Sequence, residues 1–350
     1  MQVEKNIHII EAHAEGEVGD VVVGGVIPPP GETLWEQSRY LARDRRLKDF
    51  LLNEPRGGVF RHVNILVPPK DNRADLAAII MEPETVPPMS GSNTICIVTV
   101  ALETGVVPMQ EPETKVTLEV PGGLIDITAQ CADGKVQSVT FDNVPSYVDQ
   151  LGKKLIVPGI GDLTVDIAFG GDSFVVVQAS DLGLELVPEQ AAALTKAGMA
   201  VAVAAQEQLG FSHPELPGFD EVTFCLIAGP VIDEPVIGGA PLRSSIHAVA
   251  IKPGKLDRSP TGTGASARIA LMHAKGKARP GDVFEFRSVL GSKFVAKFVS
   301  QTQIADQPAI IPRITGRAWV TGRRELITNN GDPWPTGYRL SDTWPLMPKG

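Results

Sequence analysis

Two stretches of this chain set hydroxyl residues, glycines and the start of a helix in an order suited to holding a small anion and moving a proton. The longer reads Asp257-Arg258-Ser259-Pro260-Thr261-Gly262-Thr263-Gly264-Ala265-Ser266-Ala267-Arg268. Pro260 starts a turn, Gly262 and Gly264 let backbone approach a ligand closely, and the run from Ala267 to Ala274 reads as helix. N–H groups in a helix's first turn lack partners within the helix, and the dipole favours negative charge there, so backbone alone can seat a carboxylate or phosphate. The second stretch is Pro87-Pro88-Met89-Ser90-Gly91-Ser92-Asn93-Thr94-Ile95-Cys96. It repeats the order of Pro, hydroxyl residue, Gly and small polar residue ahead of an apolar run. Ser90 and Thr261 lie close to half a chain apart, which suggests two similar halves. The plainer reading of both hydroxyls is N-capping, because Ser and Thr are favoured there whether or not chemistry follows.

The elements around these stretches read as many short strands and a few helices. Val3 to Ala12 and Val21 to Ile27 form a strand pair, and Glu32 to Leu52 carries a helical apolar stripe of Leu34, Leu41, Leu47, Phe50 and Leu51. Strands at Val63 to Val67 and Ala77 to Met81 precede the Ser90 motif, whose helix ends near Gly105. Three further strands follow, and Asp149 to Gly161, punctuated by Gly and Pro, is the expected crossing between halves. Beyond it the order repeats: strands at Leu163 to Ala168 and Phe174 to Gln178, a helix from Pro188 to Leu209, strands at Val222 to Ala228 and Ile246 to Ile251, then the Thr261 motif and its helix.

Composition excludes several function classes. The chain has 350 residues, 43% hydrophobic and 21% charged, which suits a soluble protein of two ordinary domains. No run reaches the roughly 18 apolar residues of a membrane span, and the first residues lack a signal-peptide pattern, so a cytoplasmic protein is expected. A net charge of −9 argues against a nucleic-acid partner. Cys96, Cys131 and Cys225 have no metal-ligand spacing, so no metal site is expected and three buried thiols are.

The Asp257 to Gly264 run resembles the second motif of the proline racemase superfamily, Asp-Arg-Ser-Pro-Cys-Gly-Thr-Gly, with Thr261 where that family has Cys. The first family motif, Met-Cys-Gly-His, is matched at Met89 and Gly91, with Ser90 for Cys and Ser92 for His. Similarity continues at His13-Ala14-Glu15-Gly16-Glu17, Glu54-Pro55-Arg56-Gly57-Gly58, Phe169-Gly170-Gly171-Asp172 and Ile314-Thr315-Gly316-Arg317-Ala318-Trp319. The resemblance implies an α+β fold of diaminopimelate-epimerase and proline-racemase type: two similar lobes, each a curved, mostly antiparallel sheet around a central helix, with the active site between them. Residues 1–150 would form the N-terminal lobe, with 325–350 crossing back to it, and 151–324 the C-terminal lobe. It also implies a small imino-acid substrate, hydroxyproline or proline, and no cofactor. Dimerisation stays open.

In that family one Cys removes the α-proton and the other returns a proton on the opposite face. A Thr at the second position goes with dehydration of trans-3-hydroxy-L-proline, and a Ser at the first with 4-hydroxyproline 2-epimerases; this chain has both changes. Ser90 at a helix N-terminus is the better base, because the dipole lowers its pKa while the extra methyl crowds Thr261. One base without an opposed acid fits elimination to Δ1-pyrroline-2-carboxylate. Ser90 and Thr261 are thus the expected catalytic pair, with Thr261 hydrogen-bonding the leaving 3-hydroxyl. Gly91, Ser92, Asn93, Gly262 and Thr263 would hold the substrate carboxylate, and Asp257 the ring nitrogen, unless Asp257 merely caps its turn or pairs with Arg258. His247 and His13 are candidate substitutes for the family's His, and Asp172 a candidate pocket residue. Trp319 and Trp334 read as core or lobe contacts. A 4-hydroxyproline 2-epimerase, a proline racemase and a non-catalytic imino-acid-binding protein are the alternatives.

Overall fold

The structure, a computed structural model, describes residues 3–234, 242–329 and 331–345. It divides into two compact units, Met1–Phe141 with Gly316–Gly350 and Asp142–Thr315. The first opens with the hairpin β1 (Val3–Ala14) and β2 (Glu17–Val26), followed by α1 (Leu34–Arg43), α2 (Arg46–Leu52), β3 (Arg61–Val67) and β4 (Leu76–Met81). Then come α3 (Gly91–Glu103), β5 (Glu113–Val120), β6 (Gly123–Ala132) and β7 (Lys135–Asp142), and late in the chain β18 (Ala318–Ile327). Its strands lie in the order β18-β1-β2-β3-β4-β5-β6-β7, parallel only at β2–β3 and β4–β5. Each parallel step is bridged by helix, because parallel neighbours need a crossover longer than a hairpin turn.

The second unit contains β8 (Ser146–Val157), β9 (Gly161–Phe169), β10 (Ser173–Gln178), α4 (Ala191–Gln208), β11 (Phe224–Ala228) and the two-residue β12 (Ile232–Asp233). It continues with β13 (Leu242–Ile251), the short β14 (Lys255–Leu256), α5 (Gly262–Ala274), β15 (Val283–Arg287), β16 (Lys293–Ile304) and β17 (Gln307–Gly316). The order is β8-β9-β10-β11-β13-β15-β16-β17, parallel only at β10–β11 and β13–β15. The succession of pairing senses is therefore the same in both units. In the second, β17 returns to β8 through Ala309–Tyr147 and Ile310–Ser146, so the sheet closes on itself.

Each unit is built around one helix that is apolar on nearly every side, which is what a helix enclosed by sheet requires. Residues 91–102 of α3 are all buried, and α3 packs on β1, β2, β3 and β18. Residues 262–272 of α5 are likewise buried, against β8, β9 and β16. The α1–α2 pair lays Leu34, Leu41, Leu47, Phe50 and Leu51 on the opposite face of the first sheet, in a core with Ile7, Ile9, Val63 and Ile65. The fold is the expected α+β architecture of two similar lobes.

Two local expectations change. The stretch 32–52 is two helices, because Asp44 takes the Arg46 N–H and side chain into a local turn and interrupts the helix. The stretch 149–161 is strand, forming with β9 a hairpin whose Gly152, Gly159 and Gly161 take positive φ at its irregularity and turn. At the other end of the chain, the Tyr338 N–H donates to the Glu54 carbonyl, and Trp344, buried, donates its indole N–H to the Glu54 carboxylate.

Candidate active site

Ser90 is the residue preceding α3, with φ −147 and ψ 123, and its side chain makes no capping bond to the helix. The hydroxyl oxygen instead accepts from Asn93 Nδ2 at 2.9 Å. The same amide nitrogen lies 3.2 Å from His62 Nδ1, and Asn93 Oδ1 accepts from Asn64 Nδ2 at 2.9 Å. His62 sits between two carboxylates, with Nε2 3.3 Å from Glu17 Oε1 and Nδ1 3.6 Å from Glu82 Oε1. Ser90, Asn93, His62, Asn64, Glu17 and Glu82 are all buried. Buried polar groups are costly unless bonded, and a chain of contacts runs here from the two carboxylates through His62 and Asn93 to the Ser90 oxygen. A donor fixed on that oxygen, with its own amide oxygen held from behind, stabilises charge building on it.

The surrounding backbone is shaped for this contact. A Cβ on Gly19 of β2 would stand 2.9 Å from both Asn93 Oδ1 and Cys96 Sγ, so only glycine lets β2 approach α3 here. Gly122 N–H donates to the Pro88 carbonyl at 2.8 Å, fixing the turn before Ser90. Three cations also clamp the preceding loop by its carbonyls: Arg339 on Pro83, Lys48 on Glu84 and Arg39 on Val86.

Thr261 precedes α5 with φ 51 and ψ 92, a left-handed conformation that a β-branched residue adopts only under constraint. It too makes no capping bond to the helix. Its hydroxyl donates to Asp257 Oδ2 at 2.6 Å, and Asp257 Oδ1 accepts from the Ser259 N–H at 2.8 Å. Asp257 therefore binds the turn backbone with one oxygen and Thr261 with the other. The Ser92 and Thr263 hydroxyls, although buried, make no hydrogen bond within the described structure, and with Gly91 and Gly262 they form the first turns of α3 and α5. Behind α5, a Cβ on Gly170 would come within 2.1 Å of the Thr263 carbonyl, and Asn143 bridges the Gly170 carbonyl and Ser266 Oγ at 2.7 and 2.8 Å.

The two histidines considered as substitutes each hold a backbone group. Buried His247 holds the Pro260 carbonyl with Nε2 at 2.5 Å and stacks on Phe286. Burial first, then the Arg268 charge, pushes its pKa down to about 3 against the opposing Pro260 bond, so it is a neutral prop of the motif. His13 accepts from the Gly16 N–H and stacks on Trp319, with its pKa lowered by burial. Asp172 is buried: it accepts from the Ser173 N–H at 2.7 Å, and burial raises its pKa to about 7. Trp334 is exposed and packs on Tyr338, so it is not a core residue. The three cysteines are free and buried, and burial raises the pKa of Cys96 and Cys225.

The residue the sequence reading missed is His62. Its signal was there: His62 and Asn64 alternate with Val63 and Ile65, so two polar side chains share the face of a buried strand.

A profile of the proline racemase family matches residues 9–339. The chain belongs to the proline racemase family. A hydroxyproline epimerase from Agrobacterium vitis, solved with bound trans-4-OH-L-proline, is 38% identical with a TM-score of 0.92, over 98% of this chain and 97% of that one. A probable proline racemase from Agrobacterium radiobacter K84, solved with bound carbonate, is 38% identical with a TM-score of 0.90, over 97% and 98%. A Bacillus anthracis phenazine biosynthesis protein of the PhzF family shares the fold, with a TM-score of 0.53 at 10% identity, over 92% and 99%. In this member of the family the residues immediately before α3 and α5 are the hydroxyl residues Ser90 and Thr261. Among the described residues no group of three or more His, Cys, Asp or Glu is placed to hold a metal, and no helix is long and apolar enough to cross a membrane.

Proposed function

We propose that this protein is a cofactor-independent lyase that dehydrates trans-3-hydroxy-L-proline to Δ1-pyrroline-2-carboxylate. The observation behind the reading is the unequal state of the two hydroxyls. Ser90 receives a hydrogen bond on its oxygen, whereas Thr261 has given its proton to a bond with Asp257. An oxygen that receives a donor is the better seat for negative charge; a hydroxyl already donating to a carboxylate is a poor acid for the other ring face.

In the trans isomer the α-hydrogen and the 3-hydroxyl both lie opposite the carboxylate and so share a ring face. One group on that face can serve both steps. Ser90, deprotonated under the α3 dipole and the Asn93 amide, takes the α-proton and passes it to the departing hydroxyl. The Cα–H and C3–O bonds break, water leaves, and the enamine tautomerises to the cyclic imine. Gly91, Ser92, Asn93, Gly262 and Thr263 hold the carboxylate, where charge builds, and the Asp257–Thr261 pair takes the ring nitrogen.

The second reading is a 4-hydroxyproline 2-epimerase, favoured by the 38% identity to a hydroxyproline epimerase solved with trans-4-OH-L-proline. It needs Thr261 to relay a proton from Asp257 to the second face. Incubation with each hydroxyproline separates them: o-aminobenzaldehyde trapping an imine from the trans-3 compound supports the lyase, and change of optical rotation without imine from the 4-hydroxy compound overturns it.

A further inference from the structure

The second unit holds a cavity of about 730 Å³ lined from β10, β11, β13 and the C-terminal half of α5. Its wall includes Arg268, Arg243, Lys275 and Lys277 beside the apolar Leu271 and Met272. Lys275 pairs with Asp166, also in the wall, and Arg243 with Asp282. Arg268 is different. It is 5% exposed, its terminal nitrogens reach the Gly229 and Ile246 carbonyls, and its guanidinium carbon lies 5.5 Å from the centre of the Phe286 ring. No carboxylate among those residues pairs with Arg268 or Lys277, and residues 235–241 contain no Asp or Glu to do so. Among the described residues, Asp233, an exposed lining residue, is the one carboxylate in the wall without a cationic partner, so the wall keeps a positive surplus. A buried guanidinium without a counter-charge is costly in a protein interior, and burial holds the Arg268 pKa down to about 10. An anion entering the cavity would remove that cost.

We infer that this cavity binds an organic carboxylate with an apolar body, its carboxylate on Arg268 and Lys277 and its body against Leu271 and Met272. Carboxylate suits the planar fork of arginine, and the apolar wall gives a small inorganic ion nothing to fill. The site stands on residues of the second unit alone and does not depend on which reaction the enzyme performs.

Calorimetric titration of the full chain with hexanoate tests it. Saturable binding is expected, with no heat from hexanamide, affinity at least about tenfold weaker in Lys277→Ala and Arg268→Gln, and no change in Ser90→Ala. Lys277→Ala serves should Arg268→Gln not fold. Absence of saturable binding, equal affinity in Lys277→Ala, loss in Ser90→Ala, or phosphate binding as tightly as hexanoate would each overturn the assignment.

Discussion

Ser90 and Thr261 occupy positions where a hydroxyl ordinarily caps a helix, yet neither does so. Their bonds run to Asn93 and Asp257, and the proposed chemistry rests on those partners. Asn93→Ala removes the donor on the Ser90 oxygen, so kcat should fall by about 10²-fold and the pH–rate profile should move upward as the hydroxyl becomes harder to ionise. A steady-state pH series checks this; a profile unmoved by the substitution contradicts the donor's role. In the proposed reaction the part of Thr261 that acts is its hydroxyl, not its methyl. Thr261→Ser keeps the bond to Asp257 and should retain activity within about tenfold, whereas Thr261→Val should raise KM by loss of the nitrogen site.

At the scale of elements, both seats depend on strands pressed against a helix's first turn. Gly170→Ala places a Cβ against backbone, 2.1 Å from the Thr263 carbonyl and 2.5 Å from the Ala267 nitrogen, and should cost more than about 3 kcal/mol in urea unfolding. Gly19→Ala meets the ends of two side chains, and its cost should appear more in kcat than in stability, because Asn93 must swing away from Ser90. Elements were the most legible part of the chain. The apolar runs after Gly91 and Gly262 are the two central helices, and the two similar halves appear as one succession of pairing senses used twice. His62, Glu17 and Glu82 were not legible as a cluster, because they come from β2, β3 and the loop after β4, and long-range register brings them together. The same holds for Arg339, whose contacts with Asn53 and Glu84 cross most of the chain. Capping propensity also pointed the wrong way for both hydroxyls, since a local preference carries no information about Asn93 or Asp257 as competing partners.

For the whole molecule, the buried Asp172 couples stability to pH. Its carboxyl keeps a proton up to about pH 7 in the folded state, while in the unfolded chain it ionises near its usual value. The folded state therefore binds more protons between about pH 4 and 7, and this group's contribution is present at low pH and lost as pH rises through 7, on the order of 4 kcal/mol in all. His213 and His247, whose pKa values burial lowers to about 4 and 3, act in the opposite sense and gain stability as pH rises through the ordinary histidine range. The comparison of interest is thus wild type against Asp172→Asn by urea unfolding at pH 5 and pH 8. The variant should gain relative to wild type as pH rises; parallel pH dependence in the two proteins would show that Asp172 is ionised throughout.

The proposed reaction also makes a demand on the whole enzyme, that one face of the substrate does the proton work. Incubation of wild type and Ser90→Ala with trans-3-hydroxy-L-proline in heavy water, followed by proton NMR and imine trapping, tests this most directly. Wild type should form the imine without accumulating the cis isomer, and Ser90→Ala should lose both imine formation and α-deuterium exchange by about 10³-fold or more. Imine formation or exchange undiminished in Ser90→Ala, or a deuterated epimer in place of imine in wild type, would contradict it.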